Sequence, residues 1–286
     1  MKVKAVIFAA GLLLGLPIST QAEPLPMHYP VPGGIAVIKL DTDTRPQTVK
    51  FQNRRVLTQE SNNAWYAIVG LPLALAPGQH ALTYKTHGQT RKIQFAVQPK
   101  DYETQYLTIK NKRKVNPNKQ DLERIGKESK IIRAALATWS EQTNVPFDFE
   151  LPVHGRLSSP FGLRRYFNGQ PRKPHSGLDI AADEGTPILA PASGTIIATG
   201  DYFFNGNTIF IDHGQGLITM FCHLNKIRVK PAQVVEKGQR LGDVGMTGRV
   251  TGPHLHWSVS LNNARIEPRL LLGPEFRTQL PPPAEH

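Results

Sequence analysis

Apolar and polar residues alternate in short stretches from about residue 33 to residue 108. Alternation at a period of two is typical of strands that bury one face. These stretches are Ile35 to Ile38, Thr48 to Phe51, Trp65 to Val69, His80 to Tyr84 and Lys92 to Val97. Asn62-Asn63, Pro77-Gly78 and His87-Gly88 separate them with residues that favour turns. The spacing predicts a small β-sandwich domain over residues 23–108.

The sequence pattern changes after Pro152, where short apolar stretches are separated by glycines. The strand candidates are Thr195 to Thr199, Thr208 to Asp212, Ile218 to His223 and His254 to Ser260. Many short strands with glycine turns predict a second, antiparallel β-domain over residues 151–273. The fold class is therefore mainly β, with two β-domains joined by a helix. Residues 274–286, which include three consecutive prolines, are expected to form a flexible tail.

Residues 109–150 predict a basic linker followed by a helix. The linker's basic residues are Lys110, Lys112, Arg113, Lys114 and Lys119. A solvated linker is favoured over a polyanion-binding site, because runs of charge are commonly just solvated. We expect Asn116 to cap the helix and Pro117 to take its first position. The apolar stripe of this helix comprises Ile125, Ile132, Leu136 and Trp139, and it should pack on one or both domains.

The first 22 residues predict a secretory signal. Lys2 and Lys4 precede an apolar run that ends near Leu16, and small residues follow up to Ala22. The run is shorter than the about 20 apolar residues that a membrane-spanning helix needs. We therefore expect an exported, periplasmic protein that starts near Glu23. The cleavage site has no cysteine, which argues against a lipid anchor.

The charge balance favours an anionic partner. Without the two signal lysines, 32 basic residues stand against 22 acidic ones, an excess of ten. In an exported protein this charge suggests attraction to an anionic envelope polymer, and no nucleic-acid motif occurs. Cys222 is the single cysteine, so no internal disulfide can form. Because neighbours on a strand point to opposite faces, its thiol should face away from the site of His223 and be inert.

Five residues of the second domain are candidates for a metal centre. His175 and Asp179 are four residues apart, His254 and His256 share one face of a predicted strand, and His223 ends another strand. Two imidazoles and a carboxylate with one open position form a ligand set that suits catalytic Zn2+. Metal binding lowers the pKa of a bound water enough to generate hydroxide near neutral pH.

At these residues the sequence resembles the lysostaphin-type zinc metallopeptidases, also called the LytM-domain family. The resemblance is carried by His175 to Asp179, Ile211 to Leu224 and Thr247 to Trp257, and it covers about Pro152 to Pro268. Members of this family are endopeptidases that cut peptide cross-bridges of peptidoglycan. The sandwich and helix upstream also resemble, less specifically, the amino-terminal region of some Gram-negative members.

The resemblance implies a division of roles within the site. It implies that His175, Asp179 and His256 bind Zn2+, and that His223 and His254 flank the water that attacks the peptide bond. Either histidine could take the proton of that water or stabilise the oxyanion, and the sequence leaves open which one is the base. Further candidates for the substrate groove are Arg164, Tyr166 and Asn207.

Several functional alternatives stay open at this point. Some relatives have lost zinc ligands and activate separate wall amidases, but all five site residues are present here, which favours a hydrolase. A hydrolase or adhesin directed at competitors' walls would have a similar sequence. The upstream domain and helix could cover the groove until a regulatory protein binds or the chain is processed. Both diaminopimelate cross-links and glycine bridges are candidate substrates, and the oligomeric state is open.

Overall fold

The computed structural model describes residues 25–280, in which strands predominate. The predicted secretory signal lies outside these residues. The strands of the first half are β1 (Ile35–Lys39), β2 (Thr48–Phe51), β3 (Arg54–Arg55), β4 (Leu57–Ser61), β5 (Ala64–Gly70), β6 (Gly78–Thr86), β7 (Gln89–Val97) and β8 (Thr104–Leu107). Those of the second half are β9 (Arg156–Ser159), β10 (Arg164–Phe167), β11 (Gln170–Pro171), β12 (Leu178–Ala181), β13 (Pro187–Leu189), β14 (Gly194–Tyr202), β15 (Gly206–Asp212), β16 (Leu217–Leu224), β17 (Lys226–Ile227), β18 (Val234–Val235), β19 (Arg240–Asp243), β20 (His254–Leu261) and β21 (Ala264–Ile266). The helices are α1 (Lys119–Leu136) and α2 (Pro274–Arg277), and short 3-10 turns cover Lys112–Lys114 and Pro268–Leu271. None of the helices in this described part is long and apolar enough to cross a membrane.

The amino-terminal region is a two-layer β-sandwich, as predicted. One layer has the strand order β1-β5-β4 and the other β3-β2-β6-β7. Ala36 and Val69 of the first layer face the second layer, whereas Ile35 and Ile68 face the carboxy-terminal region. The first layer is therefore buried on both faces, and the apolar core on its second face is shared with the carboxy-terminal region.

The carboxy-terminal region contains a large antiparallel sheet with the order β18-β14-β15-β16-β20-β12-β9, in which β21 also pairs with β20. A smaller sheet, β13-β19-β17, packs beside it. The core includes Trp257, Val259 and Leu261, which alternate along β20 and are fully buried. This alternation leaves the opposite face of β20 for His254 and His256.

The connector after the sandwich is part of the carboxy-terminal structure rather than a solvated linker. Strand β8 pairs in parallel with β10, with Thr104 opposite Arg164 and Leu107 opposite Phe167. Ile109 and Val115 are buried against Phe167. Most of the charges are solvated as predicted, but the segment as a whole is not, because the basic run from Lys110 to Lys114 is flanked by these two apolar residues, which dock on the carboxy-terminal region.

Helix α1 begins later than predicted. Its cap is Asn118, whose side chain accepts a hydrogen bond from the amide of Asp121, while the Asp121 carboxylate accepts one from the amide of Asn118. This reciprocal pair requires an acceptor three residues after the cap, and Asp121 stands three residues after Asn118 rather than after Asn116. Leu136 of the predicted stripe packs on the sheet beside Phe210, whereas Trp139 lies beyond the end of the helix.

The predicted flexible tail is wrong over residues 274–280. Pro274–Arg277 form helix α2, Phe276 packs against the core and Leu280 is buried. These two side chains help to anchor the segment by removing apolar surface from water.

Candidate metal centre

Strand pairing places the candidate ligands around β20. Strand β20 lies between β12 and β16, with Asp179 of β12 directly opposite His256. His254 is two residues earlier on the same face and lies opposite Ala181. Because the side-chain period of a strand is two, both imidazoles point into the same space as the Asp179 carboxylate.

His175 reaches this space from the segment that leads into β12. Its amide donates to the carbonyl of Leu163 at 2.9 Å, and its own carbonyl accepts from the amide of Gly162 at 2.8 Å. Two residues later, a Cβ at Gly177 would lie 2.5 Å from the carbonyl oxygen of Trp257 and 2.7 Å from Cε1 of His256. Only glycine permits this close approach of the segment to β20.

Three acceptor atoms converge at the centre. Nε2 of His175 lies 2.9 Å from Oδ1 of Asp179 and 3.0 Å from Nδ1 of His256. Nδ1 of His256 lies 2.7 Å from the same carboxylate oxygen. The three side chains form the one cluster of three or more ligand-type groups found within residues 25–280.

The hydrogen bonds behind the rings fix which nitrogen faces the centre. Nδ1 of His175 donates to the carbonyl of Pro160 at 2.7 Å, which leaves a lone pair on Nε2. The hydroxyl of Ser258 donates to the carbonyl of Ser176, so Nε2 of His256 donates to that hydroxyl at 2.9 Å and Nδ1 keeps its lone pair. Two nitrogen lone pairs and a carboxylate oxygen then face one another with no proton to share. A divalent cation resolves this repulsion, so the donor set fits Zn2+.

Arg165 fixes the orientation of the carboxylate. Its Nη2 donates to Oδ2 of Asp179 at 3.0 Å and to the hydroxyl of Ser159 at 2.9 Å. The second carboxylate oxygen is thereby engaged, and Oδ1 is left for the centre. Such outer partners typically tune metal affinity by holding the ligand in place.

His223 and His254 form a pair beside the three ligand atoms. Their ring centroids are 4.9 Å apart. Nδ1 of His223 donates to the carbonyl of Thr247 at 2.9 Å, and Nδ1 of His254 donates to the carbonyl of Gly252 at 2.9 Å. Both rings therefore keep a lone pair on Nε2. Burial, together with neighbouring His256 and His254, lowers the pKa of His223 to about 3, so this ring is neutral at neutral pH.

A β-bulge directs His223 into the site. Between β15 and β16 the register shifts so that Cys222 and His223 together oppose the single residue Thr208. His223 has a φ of 69°, a left-handed conformation that is costly for a residue with a side chain. The bulge turns the ring toward the metal centre, as bulges beside functional sites commonly do.

Cys222 lies directly opposite His256 in the pairing of β16 with β20, so its side chain is on the same face of the sheet as the ligands. The prediction that its thiol faces away from the site is wrong, because the bulge at Cys222 and His223 interrupts the alternation. Cys222 is buried among apolar residues that include Leu136 of α1 and Phe210 of β15. Burial raises the pKa of its thiol to about 12, so it is not a thiolate at neutral pH.

The five site residues line one cavity of about 310 Å³. Its other walls include Leu107 and Ile109 of the connector, Phe167 of β10, Phe204, and Arg249 of the loop before β20. The start of the segment that was expected to be a solvated linker thus forms part of the cavity wall.

The three further groove candidates do not line this cavity. Arg164 and Tyr166 alternate on β10 with Arg165 and Phe167, and the latter pair faces the cavity. Tyr166 instead stacks on Tyr106, with 5.0 Å between ring centroids. The amide of Asn207 donates to the carbonyl of Leu224 and is thus engaged with the backbone. Arg165, one residue after the predicted Arg164, is the arginine of β10 that lines the cavity.

Other contributors were missed for identifiable reasons. Ser258 is two residues after His256 on the same strand face, so its contact with that ring was predictable from the period of β20. The orientation of Arg165 toward the site could also be predicted once β10 was recognised as a strand. The carbonyl of Thr247 had no sequence signal, because any residue could supply it.

Comparisons with known proteins agree with this geometry. The pattern of peptidase family M23 matches residues 173–268, which include all five site residues, and that of the M23 N-terminal domain matches residues 28–100. A solved structure of a peptidase M23 protein from Pseudomonas aeruginosa is 43% identical, has a TM-score of 0.73 and is matched over 85% of this chain and 95% of that chain. The chain belongs to peptidase family M23. The resemblance to lysostaphin-type metallopeptidases is therefore confirmed.

Curated relatives of this M23 peptidase match less than half of the chain. The peptidoglycan DD-endopeptidase ShyA of Vibrio cholerae is 44% identical over 105 residues, which are 36% of this chain and 24% of that protein. The DD-carboxypeptidase/endopeptidase Mpg of Neisseria meningitidis is 38% identical over 122 residues, 43% of this chain and 28% of that protein. The chain thus spans about a quarter of the length of these relatives.

Proposed function

We propose that this M23 peptidase is an exported zinc endopeptidase that hydrolyses peptide cross-links of peptidoglycan in the periplasm. The observation that carries the proposal is the convergence of three acceptor atoms from His175, Asp179 and His256 beside the paired rings of His223 and His254. The names of the relatives ShyA and Mpg support the substrate class.

In this proposal His175, Asp179 and His256 hold the zinc. When bound, zinc lowers the pKa of a coordinated water to about 7 and polarises the scissile carbonyl. Ser258 and the carbonyl of Pro160 hold the two ligand rings in the tautomers that binding requires, and Arg165 holds the carboxylate.

His223 and His254 act on the attacking water. In each ring the Nδ1–H donates to a backbone carbonyl, so that Nε2 is the nitrogen directed toward the attacking water. One ring takes a proton from the attacking water as the new carbon–oxygen bond forms. The resulting imidazolium returns that proton to the leaving nitrogen as the carbon–nitrogen bond breaks, and the other ring orients the attacking water through a hydrogen bond.

We further propose that the bond cut is the D,D-peptide bond between a D-alanine carbonyl and a diaminopimelate amine. The names of the relatives as DD-endopeptidases support this choice over glycine bridges. In such a cross-link the carbon that bears the leaving nitrogen also carries a free carboxylate.

The test is digestion of purified sacculi by the zinc-loaded protein, followed by mass spectrometry of the released muropeptides. Conversion of cross-linked dimers to monomers is expected, and chelation should abolish it until zinc is restored. His254→Ala serves as the matched control because it removes a proton carrier and leaves the three ligands. A folded, zinc-loaded wild type that leaves all cross-links intact would instead support a regulator of amidases.

A further inference from the structure

Arg249 occupies an unusual position in the wall of the cavity. Its guanidinium carbon lies 4.8 Å from the ring centroid of Phe167 and 4.4 Å from that of Phe204. Its own amide donates to the carbonyl of Phe204 at 2.9 Å. Two aromatic faces and a backbone contact therefore hold the guanidinium in place, and cation–π attraction contributes to that placement.

This guanidinium has no carboxylate partner among residues 25–280. Its side-chain hydrogen bond is to the carbonyl of Lys114 at 3.5 Å, the outer limit for such a contact. The charged groups that act on it are Arg165 and Arg172, and both are positive. Burial and these two charges lower the pKa of Arg249 to about 10, so it stays charged at neutral pH.

The other two arginines have their partners. Arg165 donates to Asp179 and Ser159. Arg172 donates to the carbonyl of Val115 and to the side chain of Gln170. Among the three, only Arg249 has no side-chain hydrogen-bond partner within residues 25–280, and it uses one of its five N–H donors, on the carbonyl of Lys114. A half-buried charge without a counter-ion is costly, and an anionic group in the cavity would offset that cost.

We propose that Arg249 is a substrate-binding residue that pairs with the free carboxylate on the amine-side residue of the scissile cross-link. The inference rests on the proposed function and deepens it. The planar guanidinium matches a carboxylate with two parallel hydrogen bonds. Arg249 and the metal ligands line one small cavity, so the carboxylate it binds is one close to the scissile bond. Arg249 thereby selects cross-links whose leaving nitrogen lies beside a carboxylate.

The experiment compares two synthetic stem dimers that differ in one group. In one dimer the amine-side carboxylate is free, and in the other it is a carboxamide. Zinc-loaded wild type, Arg249→Gln and Arg249→Lys are assayed on both. The matched control is Arg133→Gln, because Arg133 is exposed on α1 and the substitution makes the same change of net charge.

Wild type and Arg133→Gln are expected to cleave the carboxylate dimer with a kcat/KM about 10- to 100-fold above that for the carboxamide dimer, the range for hydrogen bonds to charged groups. Arg249→Gln should lose this preference and cleave both dimers with the kcat/KM that the wild type has for the carboxamide dimer. Arg249→Lys should regain part of the preference, because it restores the charge without the paired geometry. Equal zinc content and thermal midpoint of the variants establish that the fold is kept.

Binding of the same dimers, measured by calorimetry, separates this inference from the proposed function. If wild type cleaves neither dimer yet binds the carboxylate form better, and Arg249→Gln abolishes that difference, the cleavage proposal fails and the role of Arg249 stands. If wild type cleaves both dimers equally, or Arg249→Gln keeps the wild-type preference, the role of Arg249 is overturned while the peptidase stands. If wild type neither binds nor cleaves either dimer, both are overturned.

Discussion

Asp179 and His256 lie opposite each other on antiparallel strands, with Oδ1 of the carboxylate 2.7 Å from Nδ1 of the ring. A slip of one residue between these strands would turn either side chain to the opposite face. The buried alternation of Leu255, Trp257 and Val259 on the other face of β20 prevents that slip. The register of the core thus sets the geometry of the candidate metal centre.

Arg165→Met is expected to weaken zinc binding without unfolding the protein. The substitution removes the partner of Oδ2 of Asp179, and loss of such outer partners typically costs about 10- to 100-fold in metal affinity. Competition with a chromophoric chelator measures the change. The matched control is Arg164→Met on the opposite face of β10, which should bind zinc as the wild type does. Equal affinities of the two variants would contradict the role given to Arg165.

Asn168→Gly is expected to release the connector from the cavity wall. The Asn168 side chain accepts from the amide of Ile109 at 2.8 Å and donates to its carbonyl at 3.2 Å. Its φ of 51° suits glycine, so the change removes two hydrogen bonds without backbone strain. We expect a loss of about 1–3 kcal/mol in the free energy of unfolding and faster proteolysis within residues 104–115.

Asn63→Gly provides the control for this change, since Asn63 has a φ of 56° in an exposed turn. It should retain wild-type resistance of the connector to proteolysis. Peptidase activity then distinguishes two roles of the connector. If the connector forms a wall of the substrate groove, Asn168→Gly should be less active than the wild type. Higher activity would instead favour the hypothesis that the upstream segment covers the groove.

His213 should make stability depend on pH. Burial lowers the pKa of His213 from 6.5 to about 4. Between these two values the unfolded chain binds a proton that the folded chain does not, so stability falls as pH decreases, by up to about 1.4 kcal/mol per unit. Urea unfolding from pH 7.5 to pH 4 measures the slope. His213→Gln should be less stable at pH 7.5 but show a shallower decline, and an unchanged slope would rule out this source.

Cys222→Ala is expected to retain the activity of the zinc-loaded protein. The thiol lies among apolar residues on the face of the sheet that packs against α1, so its removal should cost about 1 kcal/mol of stability through lost packing. His223→Ala at the neighbouring position should lose activity while it keeps zinc. Abolished activity in a folded, zinc-loaded Cys222→Ala would show that the thiol takes part in the reaction.

The strands and the ligand pattern could be predicted because each depends on local periodicity. His254 and His256 share a face since they are two residues apart, and the flanking core residues identify the strand. The bulge at His223 could not be predicted, because it arises from a mismatch with β15 rather than from its own sequence.

The connector and the cap of α1 show a second limit of the sequence. Ile109 and Val115 flank a basic run and show no strand or helix periodicity. Their burial depends on Phe167, which is more than 50 residues away in the chain. Asn116 and Asn118 are both acceptable caps by residue type, and only the position of Asp121 distinguishes them. The burial of the connector and the position of the helix cap both depend on a partner residue elsewhere in the chain.

The division of labour within the His-Leu-His segment is the central claim, and the zinc content of two purified variants tests it most directly. His256→Ala removes a ligand atom that lies 2.7 Å from Asp179 and 3.0 Å from His175, whereas Nε2 of His254 lies 3.9 Å from the same carboxylate oxygen. Metal analysis alongside the sacculus assay should find that His256→Ala loses zinc and activity together, while His254→Ala loses activity and retains about one zinc per chain. Equal loss of zinc in both folded variants would contradict the account.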